Sequence, residues 1–186
     1  MRRAALVAGM LAVALASRGA RADFKEWSVA IAPAYSLAYV DTRSASGGGA
    51  NVDVGFGITE SLTLHASGFV SWHSLPAVPM GAPGGTLGAF AAMVGVSYAL
   101  DVIRLVPAFD VSIGALGLRG GADFGDSRVL APSTAFGVAL GVTLDYGINR
   151  RVAVGLVVKY HALITDLTRI PVYLFVGPRV VFRFGG

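Results

Sequence analysis

Large and very small residues alternate between residues 136 and 160, in the stretch FGVALGVTLDYGINRRVAVGLVVKY. Every second position up to Tyr146, and again from Val152 to Tyr160, is large and apolar, whereas the positions between them are mostly Gly and Ala. A period of two predicts two β-strands, and GINR predicts a tight turn between them. A sheet facing water would carry Lys, Glu, Thr or Gln on its second face. The predicted hairpin instead has one face of large apolar side chains and one face of mostly Gly and Ala, which we call the bare face.

The same period of two recurs along the rest of the chain and predicts eight strands in all. After odd-numbered strands the connections are long and rich in Gly, Pro and charge, as in DTRSASGGG and SLPAVPMGAPGG. After even-numbered strands they are tight, as in TES and GINR. An even strand number with long loops at one end and short turns at the other is typical of a transmembrane β-barrel. The strands are expected at about 27–40, 50–58, 62–73, 86–98, 104–117, 136–146, 152–160 and 171–184.

The composition agrees with a membrane protein. The chain is 54% hydrophobic and 14% charged, and it contains 25 glycines. Its mean hydropathy of +0.66 is high for an ordinary soluble domain. The best candidate for a membrane-spanning helix, residues 84–100, is shorter than the ~20 residues that a span requires. A helical membrane protein and an exported soluble β-sandwich, which shares the alternation, are the alternatives.

The first 22 residues predict a cleaved secretory signal peptide. MRR provides a positive start, residues 4–16 form an apolar segment, and Ala20-Arg21-Ala22 is a small-x-small cleavage site. Ala14-Leu15-Ala16 is a competing cleavage site. The barrel is therefore expected to comprise residues 23–186. The absence of cysteine excludes disulfides and thiolate metal sites.

The net charge of +4 comes from the same N-terminal segment. Four of the fifteen basic residues lie in the first 22 residues, which hold no acid, so the remainder carries eleven basic and eleven acidic residues. These eleven basic residues form no patch or stripe. The sequence therefore does not predict nucleic-acid binding.

Aromatic residues on the large apolar face concentrate at the strand ends. Membrane barrels carry such girdles at both interfaces, because amphipathic rings suit the depth of the headgroups. The predicted girdle residues are Trp27, Tyr98, Tyr146 and Phe184 at the short-turn end, and Tyr39, Trp72, Phe90, Phe136 and Tyr160 at the long-loop end.

These features together resemble the small outer-membrane barrels of the OmpA/OmpX type, an all-β fold of eight antiparallel strands in an up-and-down meander. The ending VVFRF resembles the last strand that the outer-membrane assembly machinery reads, although Gly185 and Gly186 follow it. The resemblance implies a monomer in the cell outer membrane with periplasmic termini and a structural or surface-interaction role. It also implies contact with outer-membrane lipids and lipopolysaccharide, and no cofactor.

The bare face is then the lining of a narrow lumen, which eight strands leave just wide enough for side chains to fill. Buried charges require partners, and both signs are present on this face. The resemblance implies a salt-bridged plug, whereas the small lining residues favour a narrow polar channel as the alternative. The predicted lumen charges are Asp53, Asp110, Asp145, Arg151, Lys159, Arg179 and Arg183, accompanied by His65, Phe69, Tyr173 and Phe175.

Two further hypotheses concern function. His65-Ala66-Ser67 resembles the His-x-Ser pair of outer-membrane lipid A deacylases, but the glutamate of that family is missing downstream, so we expect no enzyme. Pro33 and Pro178 each remove a backbone donor from the sheet and would lie near each other if the first and last strands pair. We call the pairing of the first and last strands the seam. A barrel with a weakened seam resembles OmpW-like barrels, which pass small apolar molecules sideways into the membrane.

Overall fold

Eight β-strands account for most of the residues that the computed structural model describes, which are 25–40, 43–75, 85–100, 105–120, 133–164 and 172–185. The predicted signal peptide lies outside these residues. Among the described residues, no helix is long and apolar enough to cross a membrane. The strands are β1 (Trp27–Val40), β2 (Arg43–Gly57), β3 (Leu62–Leu75), β4 (Gly85–Ala99), β5 (Leu105–Gly120), β6 (Ser133–Gly147), β7 (Val152–Leu163) and β8 (Val172–Phe184).

The sheet closes on itself. Each strand pairs antiparallel with the next, and β1 also pairs antiparallel with β8, with Trp27 opposite Phe184. Closure gives every strand two hydrogen-bonded neighbours, as a hydrocarbon environment demands. The predicted fold, an eight-stranded antiparallel meander barrel, is confirmed.

The second strand is longer than the sequence pattern predicts. The prediction that DTRSASGGG forms a long loop is wrong, because β2 already begins at Arg43 and pairs with β1 throughout. The glycines of this segment lie within β2 and not in a loop. A Cβ atom at Gly47 or Gly49 would collide with the backbone of β3, so the wall accepts only glycine at these two positions. The long connections are thus those after β3, β5 and β7.

The two faces of the sheet differ as the alternation predicts. The large residues point outward: Leu140 and Leu156 are 55% and 57% exposed. The small ones point inward, and Ala139 and Ala153 are at most 1% exposed. The apolar residues thus form the outer surface of the barrel, where only a nonpolar environment would bury them.

The nine predicted girdle aromatics all point outward from the barrel. Trp27 and Phe184 face each other across the β1–β8 pair at the short-turn end, and Trp27 also packs on Phe56 with ring centroids 5.0 Å apart. Toward the long-loop end, Trp72 is the most exposed of the nine, at 60%. An interfacial role would require this outward orientation.

Candidate functional site in the barrel lumen

The lumen contains two layers of different chemistry. Charged side chains occupy the half toward the short-turn end, and large apolar and aromatic side chains occupy the half toward the long-loop end. Both layers consist of inward-facing residues, which recur at every second position of each strand. The two layers therefore differ because the inward positions near the short turns hold charged residues and those near the long loops hold apolar and aromatic residues.

A charged cluster, consisting of Asp53, His65, Asp110 and Lys159, forms the centre of the polar half. Lys159 Nζ donates to Asp53 Oδ1 at 2.7 Å, and lies 3.8 Å from Asp110 Oδ1. Asn51 also donates a hydrogen bond to Asp53. The Lys159–Asp53 ion pair joins β7 to β2, which are separated by β8 and β1, so it crosslinks non-adjacent strands of the barrel.

His65 lies between the two carboxylates of the charged cluster. Its Nδ1 is 3.6 Å from Asp53 Oδ1, and its Nε2 is 4.0 Å from Asp110 Oδ1. These contacts are with acids, whereas Ser67 lies opposite Asp53 in the β2–β3 register. Among the described residues, His65 Nε2 has no hydrogen-bond partner and Nδ1 faces Asp53, so His65 is not positioned as a base for Ser67.

The remaining predicted lumen charges lie closer to the short-turn end. Arg179 Nε is 3.4 Å from Asp145 Oδ1, and Arg183 also lines the polar half. Arg151 differs from the prediction: it is exposed in the turn before β7, where its carbonyl accepts from the backbone N–H of Arg183. The alternation that would turn its side chain inward begins only with the strand at Val152.

Two glycines make room for the carboxylates. Gly141 stands opposite Asp110 on β6, and a Cβ there would overlap the Asp110 carboxylate. Gly155 stands opposite Asp145 on β7, and a Cβ there would overlap the Asp145 carboxylate in the same way. Part of the bare face that the sequence shows is therefore space for specific acids.

An aromatic layer, consisting of Phe69, His73, His161, Tyr173 and Phe175, fills the other half. Phe69 stacks on His161 with centroids 5.3 Å apart and meets Phe175 edge-on at 5.2 Å. His73 lies 5.9 Å from Tyr173. Tyr173 and Phe175 are fully buried, and Leu87 and Leu116 pack in the same cluster.

Sequence reasoning missed the two histidines of this layer. His73 shares a hydrogen bond of 2.8 Å with Ser36, and its Nδ1 faces the Leu87 carbonyl at 3.4 Å. The available signal was parity: His73 stands eight positions after His65 on the same strand and therefore shares its inward face. Ser36 likewise occupies an inward position of β1 and is fully buried.

A cavity of about 120 Å³ lies beside the charged cluster. Its lining includes Gly57, Glu60 and Ala99 at the short-turn end, so the cavity reaches that end of the barrel. None of the five members of the aromatic layer lines it. We refer to this space as the short-turn cavity.

The seam between β1 and β8 is interrupted at mid-height. Paired residues stop at Ile31 with Val180 and resume at Tyr35 with Val176, which places Pro33 opposite Pro178 in the gap. Pro33 remains paired with β2 and Pro178 with β7. Since neither proline has an N–H group, the lost donors fall in the seam.

Comparison with known proteins identifies the fold. No protein-family model matches the chain, and no curated protein sequence matches it. Among solved structures, Neisserial surface protein A superimposes with a TM-score of 0.65 at 13% identity, covering 85% of this chain and 97% of that one. The attachment invasion locus protein Ail of Yersinia pestis gives 0.61 at 14% identity over 87% of this chain and 100% of Ail.

The outer membrane protein OprG from Pseudomonas aeruginosa gives a TM-score of 0.55 at 10% identity, covering 88% of this chain and 97% of OprG. Identities this low establish a shared fold only. The chain therefore has the fold of the small eight-stranded outer-membrane barrels.

Proposed function

We propose that the protein is an integral outer-membrane barrel with a structural or surface-interaction role, a lumen closed by side chains, and no catalytic activity. The single observation that carries this proposal is the aromatic layer. Tyr173 and Phe175 are fully buried inside a barrel whose outer face carries large apolar side chains. Such a barrel suits a lipid environment, and an aromatic layer across the lumen supports a closed barrel over the narrow polar channel.

The surface-interaction role rests on the connections after β3, β5 and β7, which are much longer than the turns at the other end. We place these connections outside the cell and both termini in the periplasm. Two of the similar structures carry names that refer to a surface protein and to attachment and invasion. Outer-membrane lipids, lipopolysaccharide and, through β8, the assembly machinery are the proposed partners of a monomeric barrel.

The protein is expected to be found in the outer-membrane fraction and to migrate differently in SDS gels with and without boiling. A closed barrel resists SDS until heated, because each strand is hydrogen-bonded on both sides. The measurement is gel mobility of membrane-extracted protein, together with single-molecule conductance in planar bilayers, where no steady ion current is expected. Equal mobility would contradict the membrane barrel, and a steady current would contradict the closed lumen alone.

A second candidate function is favoured by the interrupted seam. The gap at Pro33 and Pro178 lies at mid-height, where the outward neighbours Ile31, Tyr35 and Val176 are all exposed and apolar. An opening there would face the middle of the bilayer, so the seam would serve a transporter that passes small apolar molecules sideways.

Replacing both Pro33 and Pro178 with Val is expected to raise the stability of the barrel, and the transport function further predicts slower uptake of apolar solutes. Two restored backbone hydrogen bonds would contribute about 1–2 kcal/mol in total. The measurements are urea unfolding in lipid vesicles and uptake of an apolar fluorescent dye by cells. Pro107→Val, at the start of β5, is the matched control and should leave uptake unchanged. Unchanged dye uptake and unfolding in the double variant would exclude transport through the seam.

A further inference from the structure

The charged cluster has one more negative than positive group when His65 is neutral. Asp53 and Asp110 contribute two carboxylates, and Lys159 contributes one ammonium. Lys159 donates its hydrogen bond to Asp53, and its distance of 3.8 Å to Asp110 is too long for a second one. A buried carboxylate oxygen without a hydrogen bond is costly even beside an ammonium group. The arrangement therefore calls for another positive group beside Asp110.

Two acceptor atoms mark where that group would lie. Asp110 Oδ1 and His65 Nε2 are 4.0 Å apart, and neither has a hydrogen bond to any described residue. Asp110 is 5% exposed and His65 is 8% exposed, and both line the short-turn cavity. With its proton on Nδ1, which faces Asp53, His65 presents an acceptor at Nε2. One nitrogen about 2.8 Å from each atom would satisfy both.

We propose that the short-turn cavity binds a short aliphatic diamine, one primary ammonium of which donates to Asp110 Oδ1 and His65 Nε2. A primary ammonium has three donors and one positive charge, so it meets both requirements of this site. A metal ion fits less well, because the described residues contain no group of three or more His, Asp or Glu side chains arranged to hold one.

The shape and charge of the cavity favour a diamine over a larger or anionic ligand. Its volume of about 120 Å³ admits only a small molecule, and Ala30 and Ala108 offer apolar wall to an alkyl chain. Five carboxylates and three basic side chains line it, so the lining carries an excess of negative charge. Glu60, exposed in the turn between β2 and β3, lies at its mouth and can attract the second ammonium.

The test is isothermal titration calorimetry of the purified full barrel in detergent with 1,4-diaminobutane. Wild-type protein is expected to bind the diamine, and 1,4-butanediol, which has the same length without charge, is not expected to bind. Asp110→Asn keeps the shape and removes the charge, and should weaken binding at least about tenfold. Glu60→Gln removes the attraction on the second ammonium and should weaken binding less, by under about fivefold, because Glu60 is exposed.

The Asp110→Asn barrel should fold, since the substitution removes a surplus buried charge, and its heat-dependent gel shift verifies this. Three results would overturn the proposal: no binding of the diamine to the wild type, equal binding to the wild type and Asp110→Asn, or an NMR spectrum showing a doubly protonated His65 in the ligand-free protein. The last result would mean that His65 itself provides the missing positive charge. None of these outcomes bears on whether the aromatic layer closes the lumen.

Discussion

Lys159→Met is expected to lower the free energy of unfolding by roughly 3–5 kcal/mol, because breaking a buried ion pair leaves an uncompensated charge. Lys159 is the cation of the charged cluster and is 2% exposed. Without it, Asp53 loses the ammonium group 2.7 Å away, and Asp110 loses the same ammonium group 3.8 Å away. Methionine retains most of the apolar stem, so the change isolates the ammonium group. Urea unfolding of the barrel in lipid vesicles measures the loss.

The controls separate the lost charge from the lost packing. Adding Asp53→Asn to Lys159→Met should recover part of the stability, because one of the two carboxylates then needs no counter-charge. Arg150→Met, in the exposed turn before β7, should change stability by less than about 0.5 kcal/mol. If Lys159→Met were no more destabilising than Arg150→Met, the ion pair would not crosslink the barrel walls.

The wall of the barrel could be predicted from the sequence because a strand has a period of two. Parity alone separates Leu140 and Leu156 on the outside from Ala139 and Ala153 on the inside. The same rule placed Asp53, Lys159 and Phe175 on the lumen face. It failed at Arg151, because parity holds only within a strand and this residue belongs to the turn. The sequence pattern also failed for 43–49, where glycines that the crowded wall requires suggest a loop.

Contacts across the lumen could not be predicted in this way. Parity gives the face of a residue, but its height relative to distant strands depends on the tilt and shear of the closed barrel. Asp53 and Lys159 are 106 residues apart, and nothing in the local sequence joins them. The division into a polar and an aromatic layer could not be predicted for the same reason, because it depends on the relative heights of residues on several strands. That Pro33 and Pro178 lie opposite each other could be predicted, because β1 begins where β8 ends, with Trp27 opposite Phe184.

Removing the two phenyl rings at the centre of the aromatic layer is expected to open the lumen to ions. Phe69 and Phe175 meet at 5.2 Å, and Phe69 also stacks on His161, so we expect these three rings to close the lumen above the charged cluster. In the variant Phe69→Ala with Phe175→Ala, the vacated space would join the short-turn cavity to the long-loop end. Planar-bilayer recordings should show discrete current steps in the variant and none in the wild type.

The same double substitution should also destabilise the barrel, since each buried Phe→Ala change costs about 3–5 kcal/mol and neighbouring changes are not additive. Phe109→Ala is the matched control: it removes the same ring from the outer face, where Phe109 is 52% exposed. Phe109→Ala should give no current steps in the planar-bilayer recordings, because it removes no atom from the lumen. A double variant that still shows the heat-dependent gel shift but passes no current would mean that the remaining members of the layer, His73 and Tyr173 above all, suffice to close the barrel.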